Sequence, residues 1–175
     1  MTIPARIIPV CLLLATQCSA LASVYYVSSS EGNDASSGES VNQAWQSLDK
    51  VNSQTFVAGD QILFRRGDAW QGMLHLKGSG NAGAHILLSN YGNGPMPLID
   101  GDGYQACILL YNDGFVKIDG FELTNEASHL DGQGLPKKLD SFLGETNNYG
   151  TGKSVRCGVK VCLLYTSPSP RDSDS

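Results

Sequence analysis

Between residues 23 and 161 the chain never sustains a long apolar run or a helical period; short β-rich stretches are cut again and again by glycine-centred turns. Candidate strands fall at residues 24–28, 61–65, 73–77, 85–90, 97–100, 106–111, 115–119, 121–125 and 158–161. Between them stand Gly-Asp, Gly-Ser-Gly, Tyr-Gly-Asn-Gly-Pro, Asp-Gly-Asp-Gly and Asn-Asp-Gly. Glycine accepts positive φ, and Asn or Asp bonds its own backbone, so these are turns for physical reasons. Short, regularly spaced strands with such turns predict an all-β sandwich, barrel or solenoid.

A loose repeat favours the solenoid. Ile99-Asp100-Gly101 recurs as Ile118-Asp119-Gly120, and apolar runs centred on Ile62, Ile86 and Ile108 return at solenoid-like intervals. A solenoid coil need only stack an inward aliphatic on the coil below, so its turns are free to vary in length. A sandwich would show cleaner in-out alternation along longer strands. The one helical candidate is residues 42–51, with Trp45, Leu48 and Val51 on one face. Either it covers the open end of the first coil or it packs on the side as a surface helix.

The two ends carry their own signals. Residues 1–22 have a secretory layout: Arg6, an apolar run over 7–15, then Ala20-Leu21-Ala22 before Ser23. Cleavage after Ala22 is expected, in preference to lipidation at Cys18, because Gln17 stands where a lipoprotein signal wants a small residue. The apolar run is too short to cross a bilayer, which takes about 20 residues, so a soluble protein, extracellular or periplasmic, is expected. Residues 162–172 resemble the translation of a transposon-end adapter used in sequencing libraries. That resemblance implies that 162–175 is a non-native, disordered tail, and that 23–161 is the front part of a larger domain.

With those ends set aside, Cys107 and Cys157 remain, two thiols that either pair or stay reduced, the latter favoured because Cys107 lies in an apolar run. The formal net charge of −5 argues against a nucleic-acid surface.

Several segments together resemble secreted right-handed parallel β-helix proteins of the pectate-lyase-like kind. They are Val24-Tyr25-Tyr26-Val27-Ser28 with Gly32-Asn33-Asp34 and Gly38; Trp45-Gln46-Ser47-Leu48; Ala58-Gly59-Asp60-Gln61-Ile62-Leu63-Phe64-Arg65-Arg66-Gly67; Gly83-Ala84-His85-Ile86 through Tyr91-Gly92; Pro97-Leu98-Ile99-Asp100-Gly101; and the coil from Phe115 to Asn125. Ala58 replaces the family's usual proline. The resemblance implies an all-β, right-handed parallel β-helix, first coils only, with a short N-terminal capping helix, and an Asn125 amide joining a ladder between coils.

It also implies a monomeric, carbohydrate-active enzyme on polysaccharide, a polysaccharide lyase or glycoside hydrolase that is inactive as truncated; a non-catalytic binding or adhesion solenoid is the alternative. Lyases of this fold often use calcium, so calcium is an expectation for the full-length protein, while no cofactor and no metal ligand set is evident in this chain. Lyase chemistry needs a cationic base beside the uronate carboxylate. Substrate-groove candidates are Lys137, Lys138, Lys153 and Arg156, in the long strandless segment 126–156 that also holds His129, Asp131, Asp140 and Glu145. That segment either walls a groove or is a solvated insertion. Asp100, Asp102, Asp113 and Asp119 sit in or beside Asp-Gly turns, which explains them more simply than calcium does. His75 and His85 have no neighbouring ligand in sequence.

Overall fold

The computed structural model describes residues 22–125 and 157–162. Strand follows strand with little helix, and every pairing between strands is parallel. The elements are β1 (Val24–Val27), a 3-10 turn (Val41–Gln43), α1 (Leu48–Asn52), β2 (Gln61–Arg65), β3 (Ala69–Gln71), β4 (Leu74–Leu76), β5 (Ile86–Tyr91), β6 (Leu98–Asp100), β7 (Ala106–Tyr111), β8 (Val116–Ile118), β9 (Glu122–Thr124) and β10 (Cys157–Cys162). From β2 onward, successive strands visit three sheets in rotation, β2-β5-β8, β3-β6-β9 and β4-β7-β10, with β1 added to the edge of the first beside β2. One strand per sheet per coil is a β-helix-like stack.

Parallel register places like-facing residues above one another, and the core is built from those rungs. Tyr25, Ile62, Leu88 and Ile118 form one in the first sheet, Trp70, Ile99 and Leu123 one in the second, and Leu74, Ile108 and Val159 one in the third. Period-two alternation sorts β2, where Ile62 and Phe64 are fully buried and Gln61, Leu63 and Arg65 face outward. Phe64 meets Trp70 and Phe121 edge-on at centroid distances of 4.9 and 5.3 Å, closing the corner between the first two sheets.

Several features depart from the sequence reading. Strand β3 was not expected, and β10 runs one residue further, its Cys162 paired with Tyr111. The recurring Ile-Asp-Gly does not mark a coil repeat: Ile99 lies in the second sheet and Ile118 in the first. The true coil steps are Ile62 to Leu88 to Ile118, and Ile108, too, belongs to another sheet than Ile62 and Ile86.

The continuous helix over 42–51 is replaced by a 3-10 turn and the five-residue α1. Trp45 instead bridges to Val27 in parallel, giving its N–H to Tyr26 O (2.9 Å) and taking the Ser28 N–H (2.8 Å). Its indole stacks on Tyr25 at 4.8 Å. Gly38, at φ 82°, lies against that indole where a Cβ would collide with the ring. The other exposed edges of the first coil are met by side chains. The Asn52 amide donates to Met73 O (3.0 Å) and accepts from His75 N (2.8 Å), and Trp70 Nε1 donates to Gln46 O (2.9 Å).

The Asn125 amide also behaves differently from expectation. It donates to Tyr104 O (2.8 Å) and accepts from Gly103 N (3.3 Å), bracing the turn of the preceding coil rather than another amide. Asn90 does the same at the first corner, donating to Gly120 O at 2.8 Å.

No disulfide joins Cys107 and Cys157. Cys157 pairs in register with Ala106, so the adjacent Cys107 points to the opposite face of that ladder. Cys107 sits in the main core, with its Sγ donating to Thr124 O at 3.1 Å, whereas Cys157 packs against a second cluster of Met73, Ala106 and Leu109. Burial pushes the Cys107 thiol up to about 11.

Two outcomes follow. Leu88→Ala, which empties a rung, is expected to cost about 2–5 kcal/mol, read as a lower urea midpoint, while the outward neighbour change Ser89→Ala stays within about 0.5 kcal/mol. The Cys107 peptide should be alkylated at pH 8 only after denaturation, as read by mass mapping; rapid labelling of the native chain would contradict its burial.

Candidate functional site

The densest polar cluster among the described residues lies where the first sheet turns into the second. Because Ile62 and Phe64 face inward, the end of β2 delivers Arg65 to the outer surface, and the turn at Gly67 (φ 86°) brings Asp68 back beneath it. Asp68 is 9% exposed and accepts from Ser28 Oγ (2.7 Å), Ser30 Oγ (2.7 Å) and Ser30 N (3.3 Å). Burial alone would raise its pKa; the Ser28 and Ser30 hydrogen bonds and the Arg65 charge outweigh that and hold it below the usual carboxylate range.

Arg65 reaches Glu31 at 2.6 Å and Ser30 Oγ at 3.2 Å. The pair is solvent-exposed, so water and salt screen it and it adds little to stability. Arg66 spans to the next coil, donating from Nε to Gly94 O (2.8 Å) and from Nη1 to Asn90 Oδ1 (3.0 Å). Beside them Tyr26 and Tyr91 meet edge-on at 5.1 Å. The Tyr91 hydroxyl is buried and has no hydrogen-bond partner among the described residues, and burial raises its pKa.

Aromatic faces next to fixed donors and acceptors can hold a polyhydroxylated ligand. They do not form a proton-transfer centre, because the carboxylates that matter here are committed to backbone and hydroxyl groups. Asp34 follows the same logic. It accepts from Ser47 Oγ (2.6 Å), Ser47 N (2.9 Å) and Gln46 N (2.7 Å) at the start of α1. Burial works against its ionisation, but these hydrogen bonds and the Lys50 charge prevail and lower its pKa.

The residues singled out from sequence fare differently. Lys137, Lys138, Lys153 and Arg156 lie outside the described residues, as do His129, Asp131, Asp140 and Glu145. Asp100 Oδ1 accepts from Asp102 N (3.0 Å), and Asp102 has the left-handed φ of 44° of a turn residue. Asp113 Oδ1 takes the Gly78 N–H at 2.9 Å, while burial raises its pKa, and Asp119 is exposed. Among the described residues no three His, Cys, Asp or Glu side chains converge as metal ligands. His75 is buried on β4, where burial and then the Lys77 charge lower its pKa. Sequence reading named Asp34 only within the Gly32-Asn33-Asp34 segment and passed over Asp68, whose only local trace was its Gly-Asp dipeptide, which reads as a turn.

No family model matches the chain. The lacto-N-biosidase of Bifidobacterium longum subsp. longum is 32% identical over 130 residues, which cover 58% of this chain and 8% of that protein. Two crystal structures of one enzyme, the GH136 lacto-N-biosidase from Eubacterium ramulus, also align. The native protein gives a TM-score of 0.56 at 31% identity, covering 59% of this chain and 20% of that one. The selenomethionine derivative gives 0.61 at 26% identity, covering 79% and 24%. The chain therefore spans less than a tenth of the curated relative and at most about a quarter of the solved one.

Acid should loosen the first coil through two carboxylates. Asp34 and Asp68 have depressed folded-state pKa values, so their stabilisation is present above the ordinary carboxylate range, near pH 4, and is lost as pH falls through the lower folded values. Asp113, raised by burial, acts in the opposite sense. The melting temperature of an Asp68→Asn, Asp34→Asn double variant should fall below that of the parent at pH 6, with the gap closing toward pH 2.

Proposed function

We propose that this chain forms the first coils of a secreted, right-handed β-helix of the pectate-lyase-like kind, with residues 38–56 as its N-terminal cap, belonging to a glycoside hydrolase of the lacto-N-biosidase type that acts on oligosaccharide. The observation that carries the reading is the three-sheet parallel stack together with the likeness, at 31–32% identity over part of the chain, to two lacto-N-biosidases. The polar and aromatic corner around Tyr26, Tyr91, Arg65 and Glu31 supplies sugar-contact chemistry in this reading, and the catalytic groups lie beyond it.

Glycoside hydrolysis uses two carboxyl groups facing one another across the scissile bond, about 5–9.5 Å apart depending on stereochemical outcome. Asp34, Asp60 and Asp68 are each bound to main-chain or hydroxyl donors, so none is assigned as acid or base. The inward residues of the last coil support a continuation of the stack: Val159 and Val161 face the core side of the third sheet, yet stay 40% and 56% exposed. Their burial calls for another coil on top.

The test is to recover the source locus, express the complete gene product and assay it on a chromogenic lacto-N-bioside, with pectin, alginate and glycosaminoglycans alongside. The expected result is chromophore release by the complete protein and none by residues 23–161 alone. Unsaturated ends absorbing in the ultraviolet on an acidic polysaccharide would replace the hydrolase reading with a lyase. A locus that encodes 162–172 within an uninterrupted gene would remove the reading of that stretch as foreign.

A further inference from the structure

Asp60 stands at the entry to β2, 3% exposed, with both oxygens directed at backbone nitrogens: Oδ1 takes the Ser23 N–H at 2.8 Å and Oδ2 takes the Val57 N–H at 2.9 Å. Two main-chain bonds fix the same corner, Gln61 N to Ser23 O at 2.8 Å and Leu87 N to Asp60 O at 2.9 Å. Among the described residues the one ion pair is Arg65–Glu31, so the Asp60 charge rests on amide donors. A buried carboxylate held only by neutral donors keeps much of its desolvation cost, and a cation at one of those donors offsets it. Ala22, on the far side of the Ala22–Ser23 bond, is exposed, and Ala20 and Ala22 are the small residues of a secretory cleavage site.

We propose that processing at Ala22–Ser23 creates a partly buried ion pair between the new Ser23 α-ammonium and Asp60, which fastens β1 onto the first full coil. The step is a peptide hydrolysis by a signal peptidase: water adds to the Ala22 carbonyl carbon, the C–N bond breaks, Ala22 leaves as a carboxylate and the Ser23 nitrogen takes up protons to become an ammonium. No oxidant or reductant is involved. At neutral pH an α-amino group is largely protonated, with an ordinary pKa of about 7.7–8.0. The donor already in place at 2.8 Å thereby gains a full charge, and charge-assisted hydrogen bonds are roughly twice as strong as neutral ones. The inference rests on the expectation of secretion and is independent of the reaction class.

The full chain is exported from a bacterial host and its mature N-terminus read by intact mass and N-terminal sequencing. The chain beginning at Ser23 is then melted beside one prepared to begin at Ala22, which keeps the Ser23 amide but moves the ammonium one residue away; Asp60→Asn is made in both. A mature N-terminus at Ser23 is expected, with a melting temperature about 5 °C above the Ala22 chain and no such difference between the two Asp60→Asn chains. An N-terminus at Cys18 or elsewhere overturns the processing site. Equal melting of the Ser23 and Ala22 chains overturns the ion pair, whether or not the Asp60→Asn chains fold.

Discussion

Stacking of one inward side chain on its counterpart in the next coil is the interaction on which the rest of this structure depends. Parallel strands lie about 4.8 Å apart, and residues in register face the same way, so each coil need contribute only a few apolar groups at fixed positions. Ile62, Leu88 and Ile118 meet that demand in the first sheet, and Trp70, Ile99 and Leu123 in the second. Everything between those positions is released from the core. The turns can therefore differ in length from coil to coil, as the connection between β9 and β10 does against that between β6 and β7. Variation is concentrated at the corners.

That division explains what was legible in the sequence. Strands such as β2 and β7 were found at their observed limits because aliphatic residues bounded by glycine turns are a local signal. β3 was missed because Ala69-Trp70-Gln71 has one inward residue and no alternation long enough to register. The Ile-Asp-Gly tripeptide misled for a related reason. An inward isoleucine followed by a sharp turn solves the same local problem at the end of any strand, so its recurrence does not say which sheet it closes. Trp45, Leu48 and Val51 share a helical spacing, yet Trp45 gains more from a backbone bridge to Val27 and a ring stack on Tyr25 than from a helical turn. Tertiary contact overrode a weak local preference.

The candidate site was less legible, because its bonds are long-range. Ser28 and Asp68 stand 40 residues apart and meet only because β1 and β2 are neighbours in one sheet. A Gly-Asp dipeptide announces a turn; nothing near it announces the hydroxyls it will hold. Asp34, Asp60 and Asp68 thus share one role under three local disguises: each ties a preceding or following loop to the first coil through main-chain or hydroxyl donors. Asp34 and Asp68, saturated in this way, are held ionised and are poorly suited to giving up or accepting a proton in catalysis. The polar chemistry of these coils serves assembly first.

The same economy gives the stack a direction. At the β1 side, the edge of the first sheet is bonded by Trp45, the edge of the third by Asn52, and the Trp70 indole by Gln46. The opposite side has inward valines at 40% and 56% exposure. A quasi-one-dimensional structure is stable as the sum of its coils and the interfaces between them, so a terminal coil lacking one interface is its weakest. Any segment packed on Val159 and Val161 would strengthen the coil beneath it.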